Sequence, residues 1–199
     1  MNIRPATLWG GMVHLPYMVQ LPAAGAFLDT QRIIASVGVG PGQHTADLGC
    51  GSGYITMTLA RAVGRDGVVT AVDIMEEPLQ AVQTKADAAG LQNIRTVRAN
   101  LEVPGNTKIP DASQDLSVLA NVLFQSQEKD KIVAEAVRIL KPGGRLLIID
   151  WRKGVPGFGP PDELRSSEEQ LTALASAAGL RLERPIDAGT YYAGLLFTK

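Results

Sequence analysis

The chain has 199 residues, with 19 Lys and Arg against 20 Asp and Glu for a formal net charge of −1, and 45% hydrophobic residues. That length buries the core of one domain without disulfides or metal, and the balanced charge supplies no basic field for a polyanion, so nucleic acid is not an expected partner. The single cysteine, Cys50, can close no internal disulfide and build no thiolate metal site, so no metal is expected.

Residues 1–16, "MNIRPATLWGGMVHLP", hold no apolar run long enough for a signal peptide. No segment approaches the roughly 20 apolar residues of a membrane span. The expectation is a soluble cytoplasmic protein with no membrane partner. Residues 1–25 read as an irregular arm, and "WGGMVHLPYM" (9–18) mixes aromatics, methionines and paired glycines. Such an arm packs on the body or acts as a lid over a cleft. In the lid reading His14 and Tyr17 are candidates to orient an acceptor or remove its proton.

From residue 26 onward, short apolar runs alternate with helical patterns. "AFLDTQRIIASVGV" (26–39) reads as a helix, "HTADLG" as a first strand with His44 at its exposed start, and "YITMTLARAV" (54–63) as the next helix. "GVVTAVDI" (67–74) is continuously apolar, as a strand buried on both faces is. Residues 75–90 form a helix with acids and Pro78 in its first turn and Gly90 at its end. "IRTVRA" is a third strand, and residues 115–124 contain a fourth. The helix over 128–140 is expected to stop at Pro142-Gly143-Gly144, with a fifth strand at 145–151. A Gly/Pro-rich connection (153–163) leads to a helix over 166–179, where Ser166 or Ser167 opens a capping box. Two strands, "LRLERP" and "TYYAGLLFT", close the chain. They lie too close for a crossover helix, so at least one runs antiparallel. The whole reads as an α/β fold with a doubly wound, mostly parallel sheet in one domain over residues 26–199.

The stretch "DLGCGSGY" (47–54) carries the functional signal. In an open α/β sheet, ligands sit outside the carboxyl ends of the strands, where strand order reverses. A dinucleotide fingerprint would read G-x-G-x-x-G. Here the glycines are Gly49, Gly51 and Gly53, preceded by Asp47. An acid buried beside a pyrophosphate repels it, so Asp47 argues for a ligand with positive charge or amine donors. Asp73 ends the second strand, where a carboxylate can accept both hydroxyls of a ribose. Ile74 and Met75 follow and can flank a flat base. That profile suits S-adenosylmethionine.

"DLGCGSGY", "AVDI" and "LKPGGRLLIIDW" closely resemble the glycine-rich motif, second-strand acid and fifth-strand motif of class I S-adenosylmethionine-dependent methyltransferases. The nearest resemblance is to small bacterial enzymes related to ubiquinone/menaquinone-biosynthesis methyltransferases, and it covers residues 25–199. It implies a Rossmann-like seven-stranded sheet with the last strand antiparallel, S-adenosylmethionine as cofactor and a small-molecule methyl acceptor. It gives Gly49, Gly51 and Gly53, with Cys50 between them, the role of meeting the methionine moiety. Asp47 would help hold its amino-acid end, Asp73 the ribose, and Ile74 and Met75 the adenine. Where the family often has an acid meeting the adenine amine, this chain has Asn100, followed by Leu101, and the Asn100 amide oxygen can still accept. Asn121 corresponds to the pocket wall near the sulfonium. Phe124 stands where many relatives carry a histidine.

Other candidates stay open. Asp150 ends the fifth strand facing the cleft, either as a general base or as a cap or ion-pair partner of Arg152 or Lys153. Of Tyr191 and Tyr192, one is expected in the core and the other nearer the cleft. Too few cysteines are present for an arsenite-type acceptor, and "LANVLF" lacks the proline-aromatic motif of nucleic-acid amino-methylating enzymes. Two rival readings remain: an NAD(P)-dependent oxidoreductase, and a non-catalytic S-adenosylmethionine-binding regulatory module. Oligomeric state is not readable.

Overall fold

The computed structural model describes residues 28–199. The expected arm or lid of residues 1–25, with His14 and Tyr17, lies outside the described residues.

Helix α1 (Thr30–Val37) starts where the Asp29 carboxylate accepts from the Arg32 N–H and stops at Gly38, whose φ of 75° ends the helical hydrogen bonding. It buries Ile33, Ile34 and Val37, one stripe at helical spacing. Strand β1 (His44–Leu48) passes through the glycine turn into α2 (Tyr54–Val63), and β2 (Val68–Asp73) leads to α3 (Glu76–Ala88). Glu76 and Glu77 sit in the first turn of α3, where carboxylates complement the helix dipole. Then follow β3 (Ile94–Arg98), β4 (Gln114–Ala120), α4 (Lys129–Ile139), β5 (Leu140–Trp151), α5 (Glu168–Ala177), β6 (Arg181–Ile186) and β7 (Tyr192–Thr198). Ser167 caps α5 and exchanges bonds with Gln170 in a capping box, which decides between the two serines.

The seven strands form one sheet in the order β3-β2-β1-β4-β5-β7-β6. Strands β1 to β5 pair in parallel, and β7 runs antiparallel to both β5 and β6. The Rossmann-like sheet with a reversed last strand is therefore present. Alternating residues of β5 face opposite cores. Leu146 and Ile148 pack with Ile132 of α4 and Leu171 of α5, whereas Leu147 and Ile149 pack with Ile33 of α1 and Leu59 of α2. Among the described residues no helix is long and apolar enough to cross a membrane.

One boundary differs from the sequence expectation. Helix α4 ends at Ile139, before the Pro142-Gly143-Gly144 run, and Leu140 is already extended and paired with Gln114. The run lies inside β5 as an irregularity between the Gln114–Leu140 and Leu116–Arg145 pairs. Two partners far away in sequence explain this. Ala112 and Ser113 donate to the last carbonyls of α4, and the chain end brackets the glycines through Gly143 N–H to Lys199 O and Lys199 N–H to Gly144 O.

Candidate cofactor site

Strand order reverses between β1 and β4, so a crevice opens at their carboxyl ends. The glycine turn forms one lip. Gly49 and Cys50 both donate to Val72 O, at 2.7 and 2.9 Å, and Gly53 donates to Cys50 O. The three glycines have different duties. A Cβ on Gly49 would lie 2.4 Å from Val122 Cγ2, and one on Gly53 would lie 2.7 Å from Val82 Cγ2. Their bareness lets β1 and α2 pack against β4 and α3. Gly51, with φ of 49°, faces open space with no atom within 4 Å of a Cβ position. Only there does a side chain fill room that a ligand can use.

Two carboxylates converge on this turn. Asp73 Oδ2 accepts from Gly51 N–H and Oδ1 from Met75 N–H, both at 3.0 Å, which leaves each oxygen a lone pair. Asp47 is 2% exposed and accepts from Thr56 Oγ1 at 2.5 Å. Burial pushes its pKa up to about 6, with the Thr56 hydrogen bond opposing and the Asp73 charge adding to the rise. Burial likewise pushes the Cys50 thiol up, so it is a protonated, inert wall. Among the described residues neither carboxylate is in a salt bridge. Lys85, which sequence reasoning passed over, donates to Ser52 O at 2.6 Å with its ammonium 4.8 Å from the centre of the Tyr54 ring. It grips the turn rather than neutralising the acids.

Beyond Asp73, Ile74 is held through its carbonyl by Arg98 Nε at 3.0 Å, and Met75 is exposed. Leu101 is buried beside the same edge. The Asn100 amide oxygen, read from sequence as an acceptor for adenine, accepts from the Glu102 N–H at 2.9 Å. The Asn100 N–H in turn donates to Asn106 Oδ1 at 2.7 Å. The carboxamide thus shapes its own turn, the local competition to which Asn is prone.

The second lip follows β4 and β5. Asn121 takes a left-handed φ of 58° and donates its N–H to Ile149 O at 2.8 Å. Its Oδ1 and the Tyr192 hydroxyl are both buried without a hydrogen-bond partner. The two groups lie close enough to affect ionisation, yet outside hydrogen-bonding geometry. Burial dominates for Tyr192 and pushes its pKa up to about 12. Tyr192 is the core member of the tyrosine pair, and Tyr191 is half-buried with its ring edge-on to Phe158. Asp150 is buried, with Oδ2 accepting from Phe124 N–H at 3.0 Å and Oδ1 from its neighbour Trp151 N–H at 2.8 Å. Burial raises its pKa to about 6 despite those bonds. Of the alternatives the sequence left open for Asp150, the cap is formed and the ion pair with Arg152 is not, because Arg152 pairs with Glu168 at 3.0 Å. Asp150 caps the turn carrying Phe124, a partner no sequence pattern announces because it lies 26 residues away.

The donor set suits a cationic nucleoside. Asp73 has capacity left for a ribose, Gly51 leaves room, and the inner wall is acidic where a pyrophosphate would need donors. A nucleoside cleft with that polarity belongs to the Rossmann-like class that binds S-adenosylmethionine. Residues 46–148 match the methyltransferase domain family, and the chain belongs to it. The Ubiquinone/menaquinone biosynthesis C-methyltransferase UbiE of Pseudoalteromonas translucida is 39% identical over 62% of this chain and 48% of its own length. The chain thus spans about half the length of such relatives. A S-adenosylmethionine-dependent methyltransferase from Aquifex aeolicus has a TM-score of 0.79 at 29% identity, covering 89% of this chain and 93% of that one. The cyclase SpnF shares the fold with a TM-score of 0.69 at 20% identity, covering 85% of this chain and 77% of that one.

Proposed function

We propose that this chain transfers a methyl group from S-adenosylmethionine to a small-molecule acceptor held between the glycine turn and the Asn121–Tyr192 lip. The observation that carries the reading is Asp73 bonded to the N–H of Gly51 at the turn's open face, with the buried Asp47 behind the same turn and, among the described residues, no salt bridge to either carboxylate. When bound, the sulfonium supplies an activated methyl group. In this reading Asp73 holds the ribose hydroxyls, while Ile74, Met75, Asn100 and Leu101 flank the adenine. Asp47, Cys50 and the glycines line the methionine end, with Asn121 near the sulfur. The chain's main task is alignment, and orientation of this kind can lower a barrier by about 7–11 kcal/mol. Burial keeps Tyr192 protonated at neutral pH, behind Asn121 in the core.

The names of the relatives support taking a ring carbon of a hydroquinone as the first acceptor to test. Calorimetry with S-adenosylmethionine, S-adenosylhomocysteine, NAD and NADP, followed by transfer of labelled methyl to a dihydroxynaphthalene, tests the proposal. Binding of the two sulfur nucleosides alone, with label in the ring, is expected. Binding of a dinucleotide instead would make the chain an oxidoreductase. Tight nucleoside binding without transfer to any acceptor would make it a binding module.

A further inference from the structure

Asn121 follows β4 in a left-handed conformation, with φ of 58°, and its backbone is fixed on both sides. Its N–H donates to Ile149 O at 2.8 Å, and its carbonyl accepts from Gln125 Nε2 at 2.7 Å. Asparagine tolerates this conformation better than most residues with a side chain, so the position can keep a carboxamide where the crevice opens. That carboxamide is divided between two environments. Its Oδ1 is sealed inside without a hydrogen-bond partner, while its Nδ2 is not among the sealed atoms. The residue as a whole is half-buried, so the oxygen lies inward and the amide outward, toward the crevice at the end of β4.

Behind it stands Tyr192, fully buried at the start of β7. Its ring packs on Trp151 with centroids 4.5 Å apart, and its carbonyl accepts from Arg152 Nη2 at 3.0 Å. The phenol therefore has little freedom to move. Its hydroxyl is a second sealed group without a partner. Asp150 lies near enough to disfavour the phenolate, but its two oxygens are engaged by the N–H groups of Phe124 and Trp151. The Asn121 carboxamide is the other polar group beside the phenol. A sealed donor thus stands next to a sealed acceptor, and leaving either unpaired is costly. Turning the carboxamide about Cβ–Cγ, a broad and soft torsion, is enough to join them.

We propose that Tyr192 is a positioning residue for Asn121: in the loaded site its hydroxyl bonds Oδ1 and holds Nδ2 as a donor to a lone pair of the bound nucleoside. The role rests on the methyl-transfer reading above, and it gives the two lips complementary duties. Asp73 accepts from ligand hydroxyls, and Asn121 donates to a group that can only accept, such as a thioether sulfur or a ring oxygen. A ligand that contacts Nδ2 only in the bonded orientation shifts the carboxamide to it.

The test combines urea denaturation of the free chain with calorimetry of S-adenosylhomocysteine binding, on the parent, Tyr192→Phe, Asn121→Gly and the double variant. Glycine removes the carboxamide and accepts the left-handed backbone without strain. Free Tyr192→Phe should be no less stable than the parent, because the hydroxyl it loses leaves no partner behind. Its affinity for S-adenosylhomocysteine should fall by about fivefold, and Tyr192→Phe should cause no further loss when added to Asn121→Gly. A free Tyr192→Phe chain that is less stable than the parent would overturn the inference, since the hydroxyl would then be satisfied before any ligand arrives. So would an affinity loss that persists alongside Asn121→Gly, which would make the effect one of packing. Binding that ignores Tyr192→Phe would overturn this inference alone, whereas a parent chain that binds no S-adenosylhomocysteine would overturn the cofactor reading and this role with it.

Discussion

Where β1 and β2 end, carboxylates hold the backbone by its N–H groups; where β5 ends, a guanidinium holds it by its carbonyls. Asp73 takes the N–H groups of Gly51 and Met75, and Arg165 takes four carbonyls of one loop. The consequences for a ligand are opposite. A carboxylate with two bonds made still has lone pairs and negative charge to offer, so the first lip suits hydroxyls and cations. A guanidinium with its donors spent has little left to offer, so the second loop presents its proline, valine and phenylalanine surfaces. The atoms used to fold each loop decide which chemistry is left over.

The largest effect that would break this comparison is at Asp73. Asp73→Ala should lower affinity for S-adenosylmethionine by at least about 100-fold, since hydrogen bonds to a charged group contribute about 1.5–3 kcal/mol each. Calorimetry that finds unchanged affinity would remove the ribose assignment. Next come the glycines. Gly49→Ala should destabilise the fold by roughly 2–4 kcal/mol through overpacking on Val122 and left-handed strain. Val122→Ala in the same chain should recover part of that loss in denaturant melts. Gly51→Ala should cost only about 1 kcal/mol of stability while weakening cofactor binding. The reverse pattern would exchange the roles assigned to the two positions.

Asp47 sharpens the comparison through pH. Its folded pKa is raised to about 6 from 3.8, so the native state favours the protonated form. The contribution of this group is favourable below pH 4 and is lost as pH rises to 6, by on the order of 3 kcal/mol. Asp47→Asn should therefore gain stability relative to the parent across that window, read as a difference in melting temperature. Affinity for the cationic cofactor should move the opposite way in the parent, rising as Asp47 ionises, and should lose that dependence in the variant. The smallest effect is expected at Lys85, an exposed grip on the glycine turn, where Lys85→Met should cost less than about 1 kcal/mol.

Element order and the reversed last strand were legible in the sequence because each rests on local pattern. Helical and strand periodicities, the capping serine and the short link between β6 and β7 all act within a few residues of themselves. The glycine turn and the acids at 47 and 73 were legible for the same reason, since they fall at the ends of recognisable strands. What needed tertiary structure was how a group is used. Gly49 and Gly53 face valines from other elements while Gly51 faces the cleft, a distinction absent from the motif. Asn100 folds its own turn, Asp150 caps a turn on β4's exit, and Pro142-Gly143-Gly144 enters β5 because Lys199 pairs with it. Nothing in the sequence pattern distinguishes Arg165, whose guanidinium gathers the carbonyls of the post-β5 loop. Periodicity specifies which way a residue faces along its own element, but a hydrogen bond also needs its partner, and these partners meet only when the sheet closes.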